Sequence, residues 1–265
     1  MQNEGVFIQP STTATLIAAG SVVTFLLLTI VAYAAVRAVS PGRRQEEKLQ
    51  RLGGTILLGA WLMEAVYWAV RAPAKLFIKL GVKPDALTIT SLVLTLASCP
   101  VAITGHFSTA GLLFLIGSSF DALDGMVARE TGTVKKSGAI LDSVLDRYAD
   151  AAPMIGLAVF YRFSIWQMLI PLFALVGSQL ISYVRAKAES MNLNLPSTLM
   201  RRHERVAYIS AALIFAPMLS PFVEDPWGAV HPGTLTIILI VAIVSNAVAI
   251  NLLISARRLL DAQDK

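Results

Sequence analysis

Seven stretches of this chain are apolar for about as long as a helix needs to cross a bilayer. The hydrocarbon layer is about 30 Å thick and a helix rises about 1.5 Å per residue, so about 20 apolar residues suffice. The predicted spans are 12–38, 86–104, 108–128, 138–160, 165–184, 206–222 and 234–256. Composition agrees: of 265 residues, 55% are hydrophobic and 15% charged, where a soluble domain carries about 25% charged residues. The single cysteine, Cys99, allows neither an intrachain disulfide nor a thiolate metal site. The net charge of +5 fits cytoplasmic loops and anionic lipid or phosphate ligands rather than nucleic acid.

Segment 52–83 differs from the spans. It mixes apolar residues with Glu64, Arg71, Lys75 and Lys79. The three basic residues are four apart and share a helical face, so an amphipathic helix in the membrane interface is expected. A crossing by its first half would bury Glu64 in lipid at high cost. With the N-terminus outside and seven spans, every loop rich in Lys and Arg falls on one side: 37–51, 71–83, 129–137, 185–205 and 257–265. The opposite loops hold Arg162 with Glu224 and Asp225. Basic loops mark the cytoplasmic face. The expected fold is all-α and integral to the membrane. Residues 1–51 supply an extra N-terminal span and a basic linker, 52–83 the interfacial helix, and 84–265 a six-span core.

Acidic side chains cluster where lipid-facing helices cannot hold them. Asp121 and Asp124 are three apart at the end of one span, and Asp142 and Asp146 are four apart at the start of the next. Each pair stands on one helical face, and both ends lie on the predicted cytoplasmic side. Carboxylates so close remain ionised only with positive charge between them. All-oxygen ligands favour Mg²⁺ or Mn²⁺, and two such ions clamp both ends of a phosphoryl displacement. Gly125 and Ala128, on the face of the first pair, leave room for a nucleotide. Arg129 offers a planar fork for phosphate.

The pattern D-x2-D-G-x2-A-R-x8-G-x3-D-x3-D, complete from Asp121 through Gly138 to Asp146, resembles the signature of CDP-alcohol phosphotransferases. The likeness covers about residues 75–258. It implies a CDP-linked lipid in a cytoplasm-facing cavity open to the bilayer, in a prokaryotic plasma-membrane enzyme that is often a homodimer. By this resemblance Asp121, Asp124, Asp142 and Asp146 are the metal ligands, and Asp146 is also the general base. The loop Pro84-Asp85-Ala86-Leu87, together with Gly125, Ala128, Arg129, Lys135 and Gly138, then contacts the CDP-alcohol. The family often carries Asn where Asp85 stands, and a small hydroxyl-bearing residue where Lys135 stands.

Leu141-Asp142-Ser143, Asp146-Arg147 and the run from Ile181 to Glu189 look like inositol phosphate synthases of bacteria and archaea. That likeness makes Lys136, Arg185, Arg202 and Arg205 candidates for holding the acceptor's phosphate. The segment between Met191 and Met200 lacks the glycines usual there. The reaction so implied moves a phosphatidyl group from CDP-diacylglycerol to a small hydroxyl acceptor, inositol 1-phosphate by this likeness, and releases CMP. Glycerol 3-phosphate or another polar alcohol is the alternative acceptor. A cation or proton transporter is the alternative class, but it would place its charges near mid-membrane.

Overall fold

The computed structural model describes residues 12–39, 59–219 and 230–263. Among them every regular element is a helix: α1 (Thr12–Val39), α2 (Gly59–Lys79), α3 (Pro84–Ile103), α4 (Phe107–Glu130), α5 (Lys136–Phe160), α6 (Ile165–Ser190), α7 (Arg202–Ile214), α8 (Ala216–Leu219) and α9 (Pro232–Gln263). Four of these, α3, α4, α6 and α9, are long and apolar enough to cross a membrane. The first predicted span contains a shorter apolar stretch, Ala19–Ala35. Helix α5 has the length, 25 residues, but it carries Asp142, Asp146, Arg147 and Asp150. It packs against α3 and α6, and the acidic face is turned into the protein.

Within the predicted span 206–222 the helix is broken at Phe215. The helix starts four residues earlier, at Arg202, and stops at Ile214; residues 220–222 lie outside the described part. A further short helix, α8, follows at Ala216–Leu219. Pro217 explains the stop, since its ring would meet the carbonyl of Leu213 in a continuing helix. The Ser108 hydroxyl donates to the Ile214 carbonyl across the helix interface, at 3.0 Å.

Within the segment 52–83, residues Gly59–Lys79 form α2, while 52–58 fall outside the described residues. It ends in a Schellman turn: Val82 N–H donates to Phe77 O at 3.0 Å and Gly81 N–H to Ile78 O at 3.1 Å. Gly81 has φ 68°, a conformation that favours glycine. Ala74 of α2 is buried with Leu87, Leu123, Met126 and Val127, so α2 lies against the start of α3 and the end of α4.

Small residues let the long helices touch. A Cβ on Gly156 of α5 would sit 2.7 Å from the Cys99 carbonyl of α3, and one on Gly177 of α6 would sit 2.8 Å from the Asn246 nitrogen of α9. Such close backbone approach is how helices associate in lipid. Gly117 of α4 meets Ser91 and Thr95 of α3 in the same way, so α3 holds both α4 and α5.

Candidate active site

Helix α4 delivers Asp121 and Asp124 in its last turns, and α5 delivers Asp142, Asp146 and Asp150 at four-residue intervals along one face. The short link between them turns at Gly132, φ 68°. One carboxylate oxygen from each of Asp121, Asp142 and Asp146 lies within 4.8 Å of the others. All three residues are half-buried. Asp142 Oδ1 is buried with no hydrogen-bond partner.

Asp124, the fourth expected ligand, stands apart from that trio. It is buried, and its Oδ2 accepts a 2.5 Å hydrogen bond from the Thr88 hydroxyl. Thr88 Oγ1 also lies 3.2 Å from the Pro84 carbonyl, so one hydroxyl ties the start of α3 to α4. Two residues not singled out in the sequence enter here, Thr88 and Asp150. Asp150 continues the four-residue spacing of Asp142 and Asp146, which was its available signal. Thr88 had none, because its partner is 36 residues away.

Arg202 begins α7 and reaches into the carboxylates. Its Nη1 donates to Asp121 Oδ2, its Nη2 lies 2.8 Å from Asp146 Oδ1, and its Nε lies 3.4 Å from Asp150 Oδ1. Arg205, one turn on, is 2% exposed. It donates to the Met200 carbonyl at 2.8 Å, to Asp150 at 3.2 Å and to the Ser182 hydroxyl at 3.1 Å. The structure thus places Arg205 beneath the site, among protein partners. Arg185 sends Nη2 to Thr198 Oγ1 at 2.7 Å and to the Pro196 carbonyl at 3.4 Å, bracing the loop before α7. Lys136 is exposed at the start of α5.

The expected CDP contacts divide in the same way. Pro84 to Leu87 form the first turn of α3 rather than a loop, with Pro84 in the favoured first position. Asp85 and Ala86 are exposed, while Leu87 is buried in the contact with α2. Arg129 is exposed and folds back over Gly125, where a Cβ would lie 3.2 Å from Arg129 Nη1. Ala128 is half-buried, Lys135 exposed, and nothing lies within 4 Å of a Cβ built on Gly138.

Carboxylates and guanidinium groups thus cluster where the end of α4 meets the start of α5. The family model for CDP-alcohol phosphatidyltransferase matches residues 82–250. The chain belongs to that family. As a CDP-alcohol phosphatidyltransferase it is 37% identical over 161 residues to the phosphatidylinositol phosphate synthase of Corynebacterium glutamicum, covering 59% of this chain and 74% of that protein. The archaetidylinositol phosphate synthase of Pyrococcus horikoshii is 34% identical over 142 residues, 53% of this chain and 74% of that protein. The crystal structure of Mycobacterium tuberculosis phosphatidylinositol phosphate synthase with CDP-DAG bound superposes with a TM-score of 0.60 at 27% identity, covering 71% of this chain and 92% of that one. The same enzyme in complex with manganese and citrate gives 0.60 over 71% and 88%.

Proposed function

We propose that this CDP-alcohol phosphatidyltransferase moves the phosphatidyl group of CDP-diacylglycerol to inositol 1-phosphate and releases CMP, using Mg²⁺ or Mn²⁺ bound on the cytoplasmic side of a prokaryotic plasma membrane. The observation that carries this reading is the convergence of Asp121, Asp142 and Asp146 from two helices to within 4.8 Å. The donor set suits the metal: all oxygen, with Asp142 Oδ1 buried and unpartnered. With Asp124 it offers four carboxylates, enough for the two ions this chemistry favours. The inositol phosphate synthases among the relatives, and the manganese complex of one of them, support the acceptor and the metal.

Asp121, Asp124, Asp142 and Asp146 would hold the divalent ions, which would supply charge neutralisation of the pyrophosphate and polarisation of the phosphorus. The rest falls to the chain's own side chains. Asp146, one turn deeper than Asp142, accepts the proton of the acceptor hydroxyl as its oxygen bonds to phosphorus, and the bond to CMP breaks. Arg129, folded over Gly125, presents its planar fork to the CDP phosphates, and the first turn of α3 borders the nucleotide. Arg202, 2.8 Å from Asp146, sets a phosphate-binding group beside the base and orients an anionic acceptor. Lys136 and Arg185 extend that basic rim. The extra N-terminal span and the homodimer belong to the same reading; cross-linking in nanodiscs tests the second.

The test incubates purified protein in nanodiscs with CDP-diacylglycerol, Mg²⁺ and one acceptor at a time, and measures CMP. Release that needs both metal and inositol 1-phosphate is expected. Release with glycerol 3-phosphate alone reassigns the acceptor, and cation flux without CMP release reassigns the class.

A further inference from the structure

The carboxylate cluster holds a cation of its own. Arg202 contacts Asp121 and Asp146 through its two terminal nitrogens and pairs by charge with Asp150, Nε to Oδ1 at 3.4 Å without a hydrogen bond. Asp121 and Asp146 are two of the three residues whose oxygens form the metal-sized group. A guanidinium and a divalent ion on the same carboxylates repel each other, so the two cations compete. Asp150 is different in kind. It lies outside the trio, is 6% exposed, and is gripped by the buried Arg205, which Ser182 and the Met200 carbonyl hold in turn. Asp150 is therefore a fixed point for Arg202 when the other two contacts are lost.

We propose that Arg202 is a displaceable counterion: divalent metal takes Asp121 and Asp146 from it, and its fork, still anchored on Asp150, turns to the phosphate of the acceptor. This rests on the metal site proposed above and adds an order to it. Metal binding creates the free guanidinium that the acceptor needs, so the two ligands bind with positive coupling. By linkage the acceptor tightens metal binding by the same factor.

Arginine modification tests this in the full chain in nanodiscs. Phenylglyoxal labelling of Arg202 is followed by mass spectrometry, and bound Mn²⁺ by electron paramagnetic resonance. Labelling is expected to be slow in EDTA, several-fold faster in saturating Mn²⁺, and slow again once inositol 1-phosphate is added. Arg202→Gln is expected to bind Mn²⁺ about tenfold more tightly, within the usual range of coupling between sites. Bound Mn²⁺ with unchanged or slower labelling, or an Arg202→Gln affinity equal to or weaker than that of the parent, overturns the displacement and leaves the metal site standing. No bound Mn²⁺ at all overturns both.

Discussion

Thr88 is the smallest group on which the site depends. Its hydroxyl faces a buried carboxylate oxygen of Asp124. Removing such a donor leaves a desolvated acceptor at a cost of about 1–3 kcal/mol, and outer-shell losses of this type reduce activity about 10–100-fold. Thr88→Val is expected to lower acceptor-dependent CMP release by that factor, and Thr88→Ser to restore it. Asp146→Asn keeps the side chain's shape and an oxygen for Arg202 but cannot take a proton. Its CMP release is expected to fall about 100–10,000-fold, the usual contribution of a general base, with the far-ultraviolet circular dichroism unchanged. The convergence of Asp121, Asp142 and Asp146 was legible in sequence because helical spacing converts directly into a shared face, whereas the place of Asp124 beside Thr88 was not, since that contact spans two helices. The protein partners of Arg205 were illegible for the same reason, since Asp150 and Ser182 lie 55 and 23 residues away in sequence.

At the level of helices, backbone proximity does what apolar burial does in water. Gly177 of α6 leaves no room for a Cβ between itself and the Asn246 nitrogen and Ser245 Cβ of α9. Gly177→Val is expected to push these helices apart and destabilise the fold by about 1–3 kcal/mol, the cost of overpacking. Thermal unfolding in detergent measures it. Gly20→Ala is the control, because nothing lies within 4 Å of the added carbon. Helix starts and ends were read from hydropathy to within a few residues for α3, α4 and α5. Hydropathy placed the end of α6 at 184, whereas the helix runs to Ser190, because Arg185, Lys187 and Glu189 look like a loop while being good helix formers. The break at Phe215 was missed although Pro217 was there to be seen. Other helices carry interior prolines, such as Pro100 and Pro153, and membrane helices tolerate them.

Taken as a molecule, the chain separates an attached N-terminal helix from a catalytic body. The family match spans 82–250, and α1, which lies outside it, packs against α2, α4, α7 and α8, with Ala19 and Val22 against Ile214. Protein lacking residues 1–58 is expected to retain metal-dependent CMP release with a lower melting temperature; loss of all turnover in a folded truncation would assign α1 a direct part in the reaction.

The segment joining α6 to α7 is fastened on two sides. Arg185 grips Pro196 and Thr198, and Arg205 grips the carbonyl of Met200, whose φ of 62° is unusual for its side chain. Such a rim cannot fold down over a guest as a lid would. In the proposed reaction the alcohol admitted is set by the contour between the two clasps, a short stretch that can be rewritten over evolutionary time while the acidic machinery below keeps its shape.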